Sequence, residues 1–490
     1  MAWAPIITAV LMASLCFPLL GHGKLQPRWE RLVAGQQQIH LSLPPSGLSL
    51  PAWIVRHAGP SAPFHQIGFY EPPPEGCKIV QVNQVQRHGS RYPTAKVNRK
   101  IRHALGKLRN ASHLDESLDF LNNYQYHLGQ DSLLPLGATE SFEAGVQFAS
   151  RYHHIFGPKN LPFIRASASR RVVDSAQNFT AGLSSRVGMD LNSFKPDLVI
   201  SEDPNVTLDN NSCPNRKLSD KKARWLKIFG ARITGRLNTL ATDANLDDKD
   251  TVALMQAGPV PLISANKNPC TLSFHILFCS FASLNHWPMR SSAGFASCYY
   301  CDLNKYYNHG LGNRLGQAEG IGYVAELIAR LTGDRKWVEQ DQSKVNQTLD
   351  QSPATFPLNQ SSYVDFSHDN QMISILAALG FPARQTLPER GPPPSPKKWD
   401  VSQWMPFASR LTTEKIVCDS HHHHHQDEFV RFVLNDMVMA VPSCKSGPQN
   451  ATLEKSAKIC SLSEFVESRR GVLGRSKSLH EQVEYSYLAF

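Results

Sequence analysis

The spacing of apolar residues changes period several times along the chain, and the changes predict strands and helices in alternation. Residues 78–86 alternate, with Val80 and Val82 on one face, and read as a strand. After Pro93 the period becomes helical, with Val97, Ile101, Ala104, Leu105 and Leu108 on one stripe. A further helix is predicted over 139–152, following a turn at Pro135-Leu136-Gly137. Residues 161–167 read as a strand and 172–179 as the helix after it. Ile321, Val324, Leu327, Ile328 and Leu331 mark a core helix closed by Gly333. Residues 363–366 read as a strand end, and 370–379 as a helix closed by Gly380. Residues 429–441 predict a hairpin turning at Asn435-Asp436. By contrast, 24–76 shows no sustained period and reads as loop wrapping the surface. Residues 180–255 are polar and partly helical, with no chemistry that the sequence names.

The chemistry is concentrated where the first strand gives way to the first helix. Arg87-His88-Gly89-Ser90-Arg91-Tyr92-Pro93 places a histidine between two arginines, in a loop where backbone N–H groups and guanidiniums can converge on an anion. A neutral imidazole can attack phosphorus and carry the phosphoryl group covalently. Phosphoryl transfer asks the protein mainly for positioning and for charge on the non-bridging oxygens, which a planar, permanently charged guanidinium supplies well. Gly89 permits close backbone approach, and Pro93 fixes the exit of the turn. An isolated Arg-His pair is ordinarily a solvated turn, and Arg56-His57-Ala58-Gly59 is read that way. The longer seven-residue pattern is far more specific.

Ser367-His368-Asp369 lies at a second strand-to-helix junction, where the helix dipole favours bound anions. Three adjacent side chains diverge and cannot form a serine-hydrolase triad, and no G-x-S-x-G elbow occurs. On residue type alone, Asp369 reads equally well as a helix cap or as a proton donor.

Length and charge narrow the class. The chain has 490 residues and a formal net charge of +10. The basic residues are spread rather than blocked, and a highly phosphorylated small substrate explains them at least as well as nucleic acid or an anionic surface. Residues 1–20 are uncharged and apolar, so 1–23 reads as a secretory signal rather than a stable membrane anchor. Seven N-x-[ST] sequons, at Asn110, Asn178, Asn205, Asn210, Asn346, Asn359 and Asn450, point to a secreted, extracellular glycoprotein. Of ten cysteines, Cys16 would leave with the signal, so nine remain and at least one lacks an intramolecular partner. Cys298-x-x-Cys301 has no second pair at zinc-finger spacing, and Gly310–Gly316 departs by one from a dinucleotide loop. His421 to His425 reads as a solvated low-complexity loop. No metal or cofactor is called for.

RHGSRYP matches the RHGxRxP signature of the histidine acid phosphatases, and its flanks resemble the secreted fungal phytases. Further similar stretches are FIRASASRRVVDSA at 163–176, KYYNHGLGN at 305–313, and FPLNQSSYVDFSHDNQMISILAALG at 356–380. The resemblance implies an α/β fold, with a central sheet flanked by helices and a smaller, mainly helical domain bounding the cleft. The whole of 24–490 would form this histidine acid phosphatase domain. It makes His88 the phosphorylated nucleophile and Asp369 the proton donor, with Arg87, Arg91, Arg165 and His368 holding the phosphate. It also implies the disulfides Cys77–Cys418, Cys279–Cys301 and Cys444–Cys460. Lys96, Arg99 and Lys100, on the helix after the motif, are candidate contacts for peripheral phosphates or a solvated helix face.

The chain also departs from that pattern. Residues 257–278 read as an insertion or a gene-model error, and the tail after Ser468 lacks a cysteine to partner Cys213. The expected activity is a secreted acid phosphomonoesterase. A phytase acting on myo-inositol hexakisphosphate through a phosphohistidine comes first. The alternatives are a broad-specificity acid phosphatase, and an anion-binding glycoprotein without turnover.

Overall fold

The computed structural model describes residues 58–475, apart from 258–291, 420–425, 448–457 and shorter internal stretches. The expected signal at 1–23, the segment 257–278 beyond its first residue, Cys213, Cys270, Cys279 and the histidine run lie outside the described residues.

The sheet is built from β1 (Cys77–Arg87), β2 (Phe163–Ser167), β3 (Leu198–Ile200), β4 (Ser362–Ser367), β5 (Arg410–Asp419), β6 (Gln426–Leu434), β7 (Met437–Met439) and β8 (Cys460–Ser461). Their order is β8-β6-β5-β1-β4-β2-β3, with β7 on β6. The half β1-β4-β2-β3 is parallel, and β5 to β8 add antiparallel neighbours. Strands at the centre of such a mixed sheet are covered on both faces, so β1 and β4 bury Gln81, Asn83, Gln84, Gln86 and Asp365 as well as their apolar residues. One expectation is corrected within β1. The register against β5 shifts between Ile79 and Gln81, so Val80 is an extra residue and Ile79 joins Val82 in one core.

Helices cover both faces. On one side lie α2 (Pro135–Tyr152) and α3 (Arg170–Val187), which bury Phe148, Tyr152, Val172 and Phe179 against Val82, Ile164 and Phe366. On the other lie α6 (Ser292–Asn308), α7 (Ala318–Thr332), α8 (Asp369–Leu379) and α9 (Leu462–Leu473), packed on Val85, Leu411 and Phe432. Each apolar side chain fully withdrawn from water here contributes about 1.5–3 kcal/mol. A third core joins α1 (Ala95–Arg109), α4 (Lys221–Leu240) and α5 (Asp248–Ala257) through Ile101, Leu105, Leu108, Leu237 and Leu254. The first helix of this group, α1, follows β1 in the chain.

Local chemistry sets the ends of these elements. Pro135 occupies the first turn of α2, so the expected turn at 135–137 is helix instead, and the fixed φ of proline starts it. Gly333 and Gly380 close α7 and α8 in the left-handed region, at φ 69° and 93°. Asn435 and Asp436, both at positive φ, make the tight turn between β6 and β7. Cys77 and Cys418 lie opposite one another on β1 and β5 and form a disulfide, as do Cys444 and Cys460. Cys301 lies beside Gly59 as a free thiol, and the Cys279 that the resemblance pairs with it lies outside the described residues.

Candidate active site

In β1 and β4, Arg87 pairs with Ser367, which makes His88 and His368 the first residues beyond two adjacent parallel strands. Their rings meet edge to face, 5.7 Å between centroids. The carboxyl end of a parallel sheet, where helix N-termini also converge, is where open α/β folds bind ligands. Here the two junctions singled out in the sequence become one site.

The loop carrying His88 is fixed from below. Glu140 of α2, fully buried, accepts from the Ser90 amide at 2.7 Å, the Ser90 hydroxyl at 3.0 Å and the Phe64 amide at 2.8 Å. Burial pushes this carboxyl up to about 7, although the donors and Arg87 pull the other way. Gly89 is required by packing, since a Cβ there would come within 2.2 Å of the Gly137 carbonyl. The close approach foreseen for Gly89 is thus to the start of α2.

His88 Nδ1 lies 2.9 Å from the Gly89 carbonyl, which can only accept. The proton is therefore on Nδ1, and Nε2 carries the lone pair. Burial, then the charges of Arg87, Arg91, His368 and Arg171, hold the imidazole well below its ordinary value. A neutral ring with a free Nε2 is the form a nucleophile needs.

Three guanidiniums surround it. Arg87 donates to the carbonyls of Pro60 and Met405 at 2.6 and 2.8 Å, and lies over the Phe407 ring. Arg91 donates to the Tyr92 carbonyl at 2.8 Å. Arg171, from the first turn of α3, donates to His368 Nδ1 at 3.3 Å. Each of the three keeps a buried Nε–H with no acceptor among the described residues. Uncompensated donors of this kind, gathered around one histidine, suit an anion.

Arg165 is placed elsewhere, which corrects its expected role at the phosphate. It sits within β2, two residues before the strand ends, roughly 6–7 Å below the site along the strand. Its guanidinium donates to Asp365 at 2.7 and 3.1 Å and pairs with Glu326, while Arg330 reaches Asp365 at 2.7 Å. All four groups are buried and their charges are paired with one another, although Nε and Nη2 of Arg330 have no hydrogen-bond acceptor among the described residues. Arg171 stands where Arg165 was expected.

Asp369 opens α8, and its Oδ2 faces Arg87 Nη2 at 3.4 Å and Lys305 Nζ at 2.7 Å. Burial alone would raise its pKa, but Lys305 and Arg87 overcome this and hold the carboxyl well below the usual range. His368 has Glu202 at 2.9 Å from Nε2, and Glu202 also accepts from the Ser167 hydroxyl at 2.7 Å and the Ser169 amide at 3.1 Å. Neither Lys305 nor Glu202 was assigned a role from the sequence.

A second group of cations lies beside the first. Lys96 and Lys100 are exposed, one turn apart on α1, and Lys222 of α4 is half-buried. Burial, then the ammonium charges of Lys305, Lys100 and Lys96, lower the pKa of Lys222. Arg99 is exposed on α1. Like charges held this close are costly unless something anionic comes between them.

Comparison with known proteins agrees with this geometry. The model of the histidine phosphatase superfamily (branch 2) matches residues 78–435. Phytase A of Aspergillus awamori is 36% identical over 391 residues, covering 76% of this chain and 79% of the relative. Phytase A of Arthroderma benhamiae is 34% identical over 382 residues, covering 76% and 80%. Among solved structures, the phytase from D. castellii superposes with a TM-score of 0.61 at 20% identity, covering 85% of each chain. A Bifidobacterium longum multiple inositol polyphosphate phosphatase, complexed with inositol hexasulfate, gives 0.59 at 14%, covering 84% of this chain and 97% of that one. With its signature loop, its paired histidines and a family match over most of its length, this chain belongs to the histidine phosphatase superfamily, branch 2.

Proposed function

We propose that the chain is an acid phosphomonoesterase of phytase type, which removes phosphate from inositol hexakisphosphate through a phosphohistidine. The observation that carries this reading is the meeting of His88 with His368, Asp369, the buried Arg87 and the half-buried Arg91 and Arg171 at the end of β1 and β4. His88 Nε2 attacks phosphorus and the bond to the ester oxygen breaks. Arg87, Arg91 and Arg171 bear the charge on the three remaining oxygens. Asp369 passes its proton to the departing alkoxide. Water then attacks the phosphohistidine, Asp369 takes a proton from it, and His88 leaves as the free imidazole.

The proton on Asp369 arrives with the substrate. In the empty site the carboxyl is held ionised by Lys305 and Arg87. A bound phosphate dianion reverses that balance, since a like charge beside a carboxylate favours its neutral form. The reaction is therefore fastest below neutral pH.

Inositol hexakisphosphate is supported by the Phytase A relatives and by the lysines at 96, 100, 222 and 305, which match a ligand bearing phosphates on several sides. Export to the extracellular space is supported by the apolar start of the chain, the sequons and the Cys77–Cys418 bridge. No helix among the described residues is long and apolar enough to cross a membrane.

Rapid quenching with labelled substrate at acid pH is the test. An acid-labile label on His88, absent from His88→Ala along with turnover, is expected. Full activity of purified His88→Ala would overturn the proposal. A strong preference for p-nitrophenyl phosphate over inositol hexakisphosphate would retain the chemistry and remove the substrate.

A further inference from the structure

The two ring nitrogens of His368 make polar contacts of opposite kind, Nδ1 with Arg171, and Nε2 with Glu202 and, at 3.4 Å, with the Ser167 hydroxyl. Arg171 Nη2 can only donate, so Nδ1 of His368 accepts from it at 3.3 Å. Glu202, held ionised chiefly by its hydrogen bond with His368, can only accept, so Nε2 carries a proton toward it at 2.9 Å. The empty site thus holds His368 as the neutral ring protonated on Nε2. A ring in that state has no donor left for a ligand.

The surroundings make the state switchable. The charges around His368 are Arg171 from α3, His88 and Arg87 at the end of β1, Arg91 from the loop, Asp369 and its partner Lys305 from α8 and α6, and Glu202 beyond β3. All but Asp369, Glu202 and the neutral His88 are cations, so an entering phosphoryl group meets mainly positive charge. When a phosphoryl group draws Arg171 to its oxygens, Nδ1 is released and can be protonated from solvent. The anion and Glu202 then flank an imidazolium from its two sides.

Building on the phosphatase reading above, we propose that Glu202 is a positioning residue. It keeps Nε2–H of His368 turned toward β3, so that Nδ1 takes up a proton and donates to the bound phosphoryl oxygen. The role resembles the carboxylates that orient metal-binding histidines from behind, where loss of the partner typically costs 10–100-fold, here expressed in affinity for phosphate. Glu202 is itself seated by Ser167 at the end of β2 and by the Ser169 amide at the start of α3. It therefore ties His368 to the same turn that supplies Arg171.

Glu202→Gln keeps an acceptor for Nε2–H and removes the charge, whereas Glu202→Ala removes both. In Glu202→Gln the inhibition constant for inorganic phosphate, read as competition against p-nitrophenyl phosphate, is expected to rise about tenfold. Glu202→Ala should show at least the same loss. Unchanged phosphate inhibition in both variants overturns the proposal. Nitrogen NMR of histidine-labelled native chain, with His368 assigned by His368→Asn, needs no variant of Glu202. The ligand-free neutral ring should be protonated on Nε2, and a proton on Nδ1 overturns the proposal even if the Glu202 variants fail to fold. The ring measurement does not depend on turnover, so failure to trap a phosphohistidine would count against the catalytic reading and leave this result separate.

Discussion

Lys305 Nζ lies 2.7 Å from Asp369 Oδ2, on the same oxygen that Arg87 faces at 3.4 Å. The proposed proton donor is therefore locked in the form that cannot donate, until substrate changes the balance of charge around it.

Replacing Lys305 by Met removes the nearer of those two cations. Asp369 then keeps its proton to higher pH, and the alkaline limb of kcat is expected to move upward by a pH unit or more. KM should rise at the same time, because a cation facing the substrate is lost. A pH–rate profile of the variant that coincides with that of the native chain would show that Lys305 does not govern Asp369.

Arg171 and Arg165 should separate cleanly. Arg171→Ala removes a charge-assisted contact of about 1.5–3 kcal/mol to the phosphate, so KM is expected to rise roughly 10- to 100-fold with little change in unfolding. Arg165→Met leaves Asp365 and Glu326 buried with Arg330 alone, and should cost about 3–5 kcal/mol of stability. Denaturant unfolding and steady-state kinetics on both variants decide it. The reverse assignment of effects would restore Arg165 to the phosphate.

Glu140 gives a stability signature. Its folded pKa of about 7 lies above the ordinary carboxylate value, so the folded state holds this proton more tightly than the unfolded chain. Its contribution therefore favours folding below about pH 4.5 and is progressively lost as pH rises to about 7. Glu140→Gln removes that dependence. Relative to the native chain, the variant should gain up to about 3 kcal/mol between pH 4.5 and 7, measured by urea unfolding at each pH. A constant difference between the two proteins would refute the raised pKa.

The sequence made the centre of this site readable and its support much less so. RHGSRYP and Ser367-His368-Asp369 are each local, and only the register of β1 on β4 had to be supplied by the fold. Arg171 was overlooked beside Arg165 because both lie in one arginine-rich stretch. The available signal was position: Arg165 falls inside a strand, where a charge must be met by a neighbouring strand, whereas Arg171 falls on the first helical turn beyond it. Glu202 follows a three-residue strand in a polar region, and Glu140 interrupts the buried face of α2. Their partners are distant in sequence, so no local pattern announces them. The bulge at Val80 was hidden likewise, since two residues opposing one is a property of the pair of strands.

The cleft lysines predict selectivity. Lys222→Glu places a negative charge among Lys96, Lys100 and Lys305. KM for inositol hexakisphosphate should rise about tenfold, and that for p-nitrophenyl phosphate, which has one phosphate, much less. Equal effects on both substrates would show that this group of cations does not read peripheral phosphates.

The pairing of Arg87 with Ser367 also bears on how activity is acquired during synthesis. The two histidines are far apart in the chain, and β1 can present only one of them until the strand carrying the other has been made and docked in the correct phase. A slip of one position would turn His368 to the far side of the sheet and leave the nucleophile without its neighbour. Nascent chains that stop short of β4 are therefore inert toward phosphate esters, and the onset of hydrolysis reports that the middle of the sheet has closed.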